Sequence, residues 1–251
     1  MGLSENLKAL EDRIQAACAR AGRPRDSVTL LAVSKGQSVQ RIEEACALGL
    51  GIFGENRVQE AKAKVGLCPD RIRWHLIGHL QSNKCRDAVA LFEMVHSVDR
   101  MELACELDRW AEKLSRRMPV LLEVNVSGEG TKFGFKPDPL PAELVRINGL
   151  ARLEVRGLMT MAPWSEEAEK SRPVFRRLRE LKEECENELG ASLPHLSMGM
   201  TGDFEVAIEE GATMIRIGTA LFGPRSRPAA KPESATAELG SARESSYGNH
   251  D

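Results

Sequence analysis

The chain is 251 residues long, 42% apolar and 29% charged, with a formal net charge of −2. That is the composition of an ordinary globular protein, and its balanced charge gives no global electrostatic grip on nucleic acid or on an acidic membrane surface. No apolar run approaches the roughly 18–20 residues of a membrane span. Six scattered cysteines without a C-x-x-C pair argue for free thiols in a reducing, cytoplasmic compartment rather than for a zinc or redox site.

In chain order, MGLSENLKALEDRI reads as an amphipathic helix and lacks the basic-then-apolar layout of a signal peptide. Short apolar, β-rich runs follow at 29–35 (TLLAVSK), 50–56 (LGIFGEN), 73–79 (RWHLIGH), 92–98 (FEMVHSV), 119–126 (PVLLEVNV), 154–161 (EVRGLMTM), 195–200 (HLSMGM) and 213–223 (TMIRIGTALFG). Charged helical patterns separate them. In VFRRLRELKEECENEL, for example, Val174, Phe175, Leu178 and Leu181 fall on one face. Strict alternation of strand and helix predicts right-handed crossovers and a parallel sheet. Eight such units within about 220 residues predict closure into a single (β/α)8 TIM-like barrel with an extra N-terminal helix. An open doubly wound sheet is the alternative, but its G-x-G-x-x-G turn is absent after the first strand, where VSKGQSVQ stands. The predicted domain is 1–223. The remainder, 224–251, is rich in Pro, Ala, Ser and charge, without periodicity, and reads as a disordered tail.

In a barrel, function gathers at the C-terminal ends of the strands. Those ends here are polar: Ser34-Lys35, Gly54-Glu55-Asn56, His75 to Lys84, His96 to Asp99, Asn125, Thr160-Met161, Ser197 to Thr201, and Arg216 to Thr219. Lys35 closes a run that otherwise reads as a buried strand. A desolvated lysine is driven toward the neutral amine that attacks an aldehyde, although a lysine also serves simply to mark where a strand meets water. SMGMTGDF leads into a helix with Asp203 near its start, and RIGTALFG offers Gly218 for close backbone approach and Thr219 for its N–H and hydroxyl. Both segments suit an anion such as phosphate, or only tight turns and helix caps. Strand alternation puts Met214, Arg216 and Gly218 on one face, so Arg216 points inward. There it needs a ring nitrogen, or a carboxylate such as Glu123 or Glu55. His75 shares a face with Ile77 and His79. A metal would need a further ligand such as His96, and hydrogen-bonded core histidines are the simpler expectation.

The segments AVSKG, FGENRVQEA, WHLIGHLQSNK, HSVDR, LLEVNVSGEGTKFGF, VRGLMTMAP and LSMGMTGDFEVAIEEGATMIRIGTALFG together resemble the pyridoxal phosphate homeostasis proteins. These are single-domain relatives of the alanine racemase N-terminal barrel, and the likeness runs from about Leu7 to Gly223. The resemblance implies that Lys35 holds pyridoxal 5′-phosphate as an internal aldimine, a Schiff base. It further implies that Ser197, Met198, Gly218 and Thr219 surround the phosphate, that Asn56 lies close to the ring, and that Arg216 faces the pyridine nitrogen. The chain departs from the family pattern at Gly36, where threonine is commoner beside the lysine, and at Thr201, where serine usually follows SMGM.

The function so implied is that of a carrier in vitamin B6 homeostasis that supplies the cofactor to apo-enzymes without being an enzyme itself. An arginine that gives up no proton leaves the pyridine a poor electron sink. The residues before Tyr247 contain no tyrosine, the opposite-face base of racemases of this fold, so negligible racemase activity is expected. The alternatives are a pyridoxal-phosphate-dependent enzyme on amino acids, such as a racemase or deaminase, and a Schiff-base aldolase acting on a sugar phosphate. A monomer with no nucleic-acid or membrane partner is the simpler expectation.

Overall fold

The computed structural model describes residues 2–130 and 132–224. Of the tail expected from 224 onward, residues 225–251 lie outside the described residues, as does Tyr247. Eight strands alternate with helices in the predicted order: β1 (Thr29–Val33), β2 (Ile52–Glu55), β3 (Arg73–Leu76), β4 (Met94–Val98), β5 (Met118–Glu123), β6 (Leu153–Met159), β7 (His195–Ser197) and β8 (Met214–Ile217). Every neighbouring pair is parallel, and β8 returns to β1 with Leu31 opposite Arg216 and Ala32 opposite Ile217, closing the barrel. The strands are continuous apolar runs because both faces are covered, the outer by helices and the inner by other strands.

The helices are α1 (Leu3–Arg20), α2 (Val39–Ala47), α3 (Val58–Lys64), α4 (Cys85–Leu91), α5 (Met101–Lys113), α6 (Leu140–Asn148), α7 (Arg172–Leu189), α8 (Phe204–Glu209) and α9 (Thr219–Phe222). In α7 the apolar row buries Phe175, Leu178, Leu181 and Cys185. The helix carries Pro173 in its first turn and stops at Gly190, whose φ of 65° is the left-handed C-cap that glycine adopts without strain. The extra helix α1 lies across the closing seam. It buries Leu10, Ile14 and Ala17, while Arg13 and Arg20 pair with Glu205 and Glu209 of α8 at 2.7 and 2.8 Å. Most of the expected runs extend a few residues beyond the observed strands, and the last differs most: it is a strand only to Ile217, and TALF turns into α9 after Gly218.

Alternation sorts each strand into two cores. Outward residues such as Ala32, Phe53, Leu76 and Val95 pack under the helices. Inward residues form one cluster of Met94, Leu121, Met159 and Met214, and another of Leu31, Val33 and Ile77. The barrel interior also holds buried polar side chains, His75, His96, Ser197 and Arg216. A polar layer inside a barrel is costly unless every member is bonded, and the bonds it makes determine how the mouth above it is shaped.

Candidate functional site

Lys35 sits half-buried in the turn just past β1, and its neighbours are tied down on both sides. Ser34 is fully buried and donates its hydroxyl to Glu55 Oε1 at 2.7 Å. Lys64, from the end of α3, donates to the Ser34 carbonyl at 2.9 Å, to Glu55 Oε1 at 2.9 Å and to Glu60 Oε1 at 2.6 Å. The Gly36 N–H donates to the same Glu60 oxygen. Burial pushes the Glu55 carboxyl up against the opposing pull of Lys64 and Ser34. For Glu60, burial is outweighed by Lys64 and the Gly36 N–H, and its carboxyl is held below the usual range. Gly36 adopts a φ of 74°, where a β-branched residue is strained. Glycine here therefore shapes the turn, and the bonds from the Gly36 N–H to Glu60 and from Lys64 to Ser34 pin it.

On the neighbouring strand β8, Arg216 is buried and donates to Ser197 Oγ at 2.8 Å and to the Thr160 carbonyl at 2.9 Å. Among the described residues no carboxylate comes within ion-pair distance of it, so neither Glu123 nor Glu55 is its partner. Burial lowers its guanidinium to about 10, with Asp203 and Glu123 pulling the other way, and it remains a cation at neutral pH. The β7–α8 turn closes through Asp203, whose Oδ1 accepts the Met200 N–H at 2.6 Å. Gly199, at a φ of 93°, packs where a Cβ would come within 2.6 Å of the Ala207 methyl, so its glycine belongs to the turn alone. The Thr201 hydroxyl accepts the Ala220 N–H of α9 at 3.3 Å and joins the two segments.

A cavity of about 490 Å³ opens at the C-terminal ends of the strands, bordered by both the Lys35 turn and the β7–α8 turn, within the usual range for small-molecule sites. Lys35, Asn56, Arg216, Gly218 and Thr219 all line it, as expected from the sequence. Ser197 and Met198 do not. Ser197 lies beneath Arg216, and Met198 is fully buried in the outer core with its N–H bonded to the Met214 carbonyl at 3.1 Å. The wall at this turn is built instead from Met200, Thr201 and Gly202. Thr201, singled out in the sequence as a departure at the end of SMGM, was the available signal. Trp164, in the loop after β6, also borders the cavity while 86% exposed, and nothing in its sequence context marked it.

The rest of the HLIGHLQSNK segment divides. His75 is inside the barrel, its Nδ1 2.9 Å from His96 Nε2. Burial, together with nearby cationic groups, pushes His75 down to about 3 and His96 well below its ordinary value, so both are neutral. Among the described residues no group of His, Cys, Asp or Glu is placed to hold a metal. His79, Gln81 and Lys84 border a second cavity of about 500 Å³ that shares Asn56 with the first, and Asn83 faces solvent. The six cysteines are all unpaired, and among the described residues no helix is long and apolar enough to cross a membrane.

Comparison with known proteins agrees with this geometry. The family model described as alanine racemase, N-terminal domain, matches residues 6–226. A pyridoxal phosphate homeostasis protein of Aquifex aeolicus is 46% identical over 226 residues, which are 90% of this chain and 99% of that one. PipY of Synechococcus elongatus, solved with PLP bound, is 41% identical with a TM-score of 0.77, over 88% of this chain and 100% of PipY. An alanine racemase of Clostridium difficile is similar in fold, at 14% identity and a TM-score of 0.67 over 88% of this chain and 56% of the racemase.

Proposed function

The chain belongs to the alanine racemase N-terminal domain family and, within it, to the pyridoxal phosphate homeostasis proteins; on that premise we propose that it binds pyridoxal 5′-phosphate at the barrel mouth through Lys35. The observation that carries this reading is the convergence of Lys35, Asn56, Arg216, Gly218 and Thr219 on one cavity. The residues suit the group. The cavity holds an amine, and it holds a buried guanidinium that among the described residues has no carboxylate within ion-pair distance, an arrangement that suits an acceptor from a ligand. A Cβ added at Gly218 would meet Val33 only at an ordinary 3.5 Å, so packing within the protein does not account for glycine there.

When bound, pyridoxal phosphate supplies an aldehyde carbon that an amine adds to reversibly, and a phosphate dianion. The remaining chemistry is the protein's. Lys35 brings the amine, and the bonds from Lys64 to the Ser34 carbonyl and from the Gly36 N–H to Glu60 hold the turn that carries it. Arg216 donates hydrogen bonds but keeps its proton, even with its guanidinium lowered to about 10. The Gly218–Thr219 turn and the Thr201 hydroxyl present donors to an anion, while Ser197 acts from below on Arg216. Asn56 adds an amide to the wall.

We further propose that the protein holds the cofactor and releases it to apo-enzymes, as a cytoplasmic monomer, instead of turning over amino acids. Two observations support the absence of turnover. No tyrosine occurs among the described residues, and Arg216, which lines the cavity, keeps its proton at neutral pH. The test is a visible spectrum of the purified protein before and after borohydride, with peptide mass analysis, beside Lys35→Ala. A yellow band that reduction traps on Lys35 is expected. A protein that stays colourless with added pyridoxal phosphate, or that converts L-alanine to D-alanine briskly, overturns the reading.

A further inference from the structure

We infer that Arg216 is aimed by a one-way hydrogen-bond chain that runs from it through Ser197 and His96 to His75, making the two histidines positioning residues for the cavity's arginine. The consequence for the cofactor rests on the proposed function; the chain itself does not.

The direction follows from what each group can give. A guanidinium only donates, so at the 2.8 Å contact of Arg216 Nη1 with Ser197 Oγ the hydroxyl oxygen accepts. The hydroxyl's single hydrogen must then go elsewhere, because Ser197 is fully buried and a wasted O–H is expensive. Among the described residues the acceptor within reach is His96 Nδ1, at 3.0 Å. His96 therefore carries no hydrogen on Nδ1. Its ring is neutral, so the proton is on Nε2, which donates to His75 Nδ1 at 2.9 Å. His75 in turn is the Nε2–H tautomer. Both rings are nearly inaccessible to solvent, His96 fully and His75 to within 3%.

Each link polarises the next in the same sense, so the Ser197 oxygen becomes a better acceptor for the guanidinium. Arg216 is held from the other side by the Thr160 carbonyl, itself beside the bond from the Thr160 hydroxyl to the Val124 carbonyl at 2.7 Å. The opposite His96 tautomer would turn a ring N–H toward Ser197, whose oxygen would then accept from both sides while its own buried hydrogen was left without an acceptor. The chain thus converts a neutral, buried histidine on β4 into the orientation of a cation on β8.

The test begins with the full, ligand-free chain labelled with nitrogen-15 in histidine. Long-range proton–nitrogen correlation at neutral pH should show His75 and His96 as neutral Nε2–H tautomers, with the signals assigned by loss in His75→Gln and His96→Gln. An Nδ1–H tautomer or an imidazolium at His96 overturns the inference, whatever the cofactor does. The second arm compares pyridoxal phosphate binding and its absorption maximum in His96→Leu and His96→Gln. The leucine variant should bind about tenfold more weakly with a shifted maximum. Glutamine, whose amide both accepts and donates, should restore both. Equal loss in the two variants overturns the positioning role. Failure of the wild type to bind the cofactor at all would count against the proposed function and leave the tautomer result standing.

Discussion

Lys64 donates to the backbone carbonyl of Ser34 at 2.9 Å, one peptide before Lys35. A lysine at the end of α3 therefore positions the turn that presents a second lysine to the cavity. Its side chain is 11% exposed, and its partner Glu55 is not exposed at all.

Lys64→Met leaves Glu55 buried without its cation, a loss of about 3–5 kcal/mol of stability, and weakens cofactor binding by freeing Ser34. Adding Glu55→Gln should recover much of the stability but not the binding, since the bond to Ser34 stays broken. Urea denaturation beside a pyridoxal phosphate titration reads the two effects apart. Full recovery of binding in the double variant would show that Lys64 does not organise the turn.

Glu123, buried near Asp99, has its carboxyl raised to about 7 by burial and by Asp99, against the pull of Arg216. The unfolded chain titrates it near 4.5. The folded state prefers the protonated form, so this contribution is intact below the unfolded value and is lost as pH rises from there through about 7. Glu123→Gln should therefore stabilise the protein by about 3 kcal/mol at pH ~8 and hardly at all at pH ~4. The same difference at both pH values would show that Glu123 ionises normally.

Gly36→Thr should cost about 1–2 kcal/mol, because the turn here runs at a φ of 74°. Gly199→Ala should cost more, about 2–4 kcal/mol, because strain at φ 93° adds to a 2.6 Å approach to Ala207. Denaturation midpoints rank the two, and a reversed order would contradict the packing at Gly199.

Trp164 borders the cavity in the open, whereas Trp74 is 4% exposed under the helices and Trp110 lies against Arg109 and Lys113. Trp164→Phe should leave stability within about 0.5 kcal/mol of the parent. It should also remove most of the fluorescence quenching that accompanies cofactor loading. Undiminished quenching in that variant would place the cofactor away from the β6 loop.

Much of this was legible before any fold was known. The apolar runs marked all eight strands because parallel strands buried on both faces carry little else. Alternation on β8 set Arg216 inward with Met214, and the strand-end rule placed Lys35 and Asn56 at the mouth. Gly36 was visible as a departure, but its left-handed backbone, and hence its purpose, was not. Ser197 and Met198 illustrate the limit most clearly. Their Ser/Gly-rich turn suggested contact with an anion, yet a guanidinium 19 residues away in sequence fills the space above Ser197, and Met198 turns to the helices.

What the sequence determined on its own was periodic and local: which residues face in or out, where strands end, and which short motifs the chain carries. Tertiary structure decided everything that depends on barrel closure. Only when β8 meets β1, with Arg216 opposite Leu31, do Lys35 and Thr219 share a wall. Only then does Lys64 find Ser34 and His96 find Ser197, 30 and 101 residues apart. Side-chain periodicity is a property of one strand, whereas a hydrogen bond across the barrel depends on register, tilt and the space neighbouring side chains leave, and those are set by the whole chain at once.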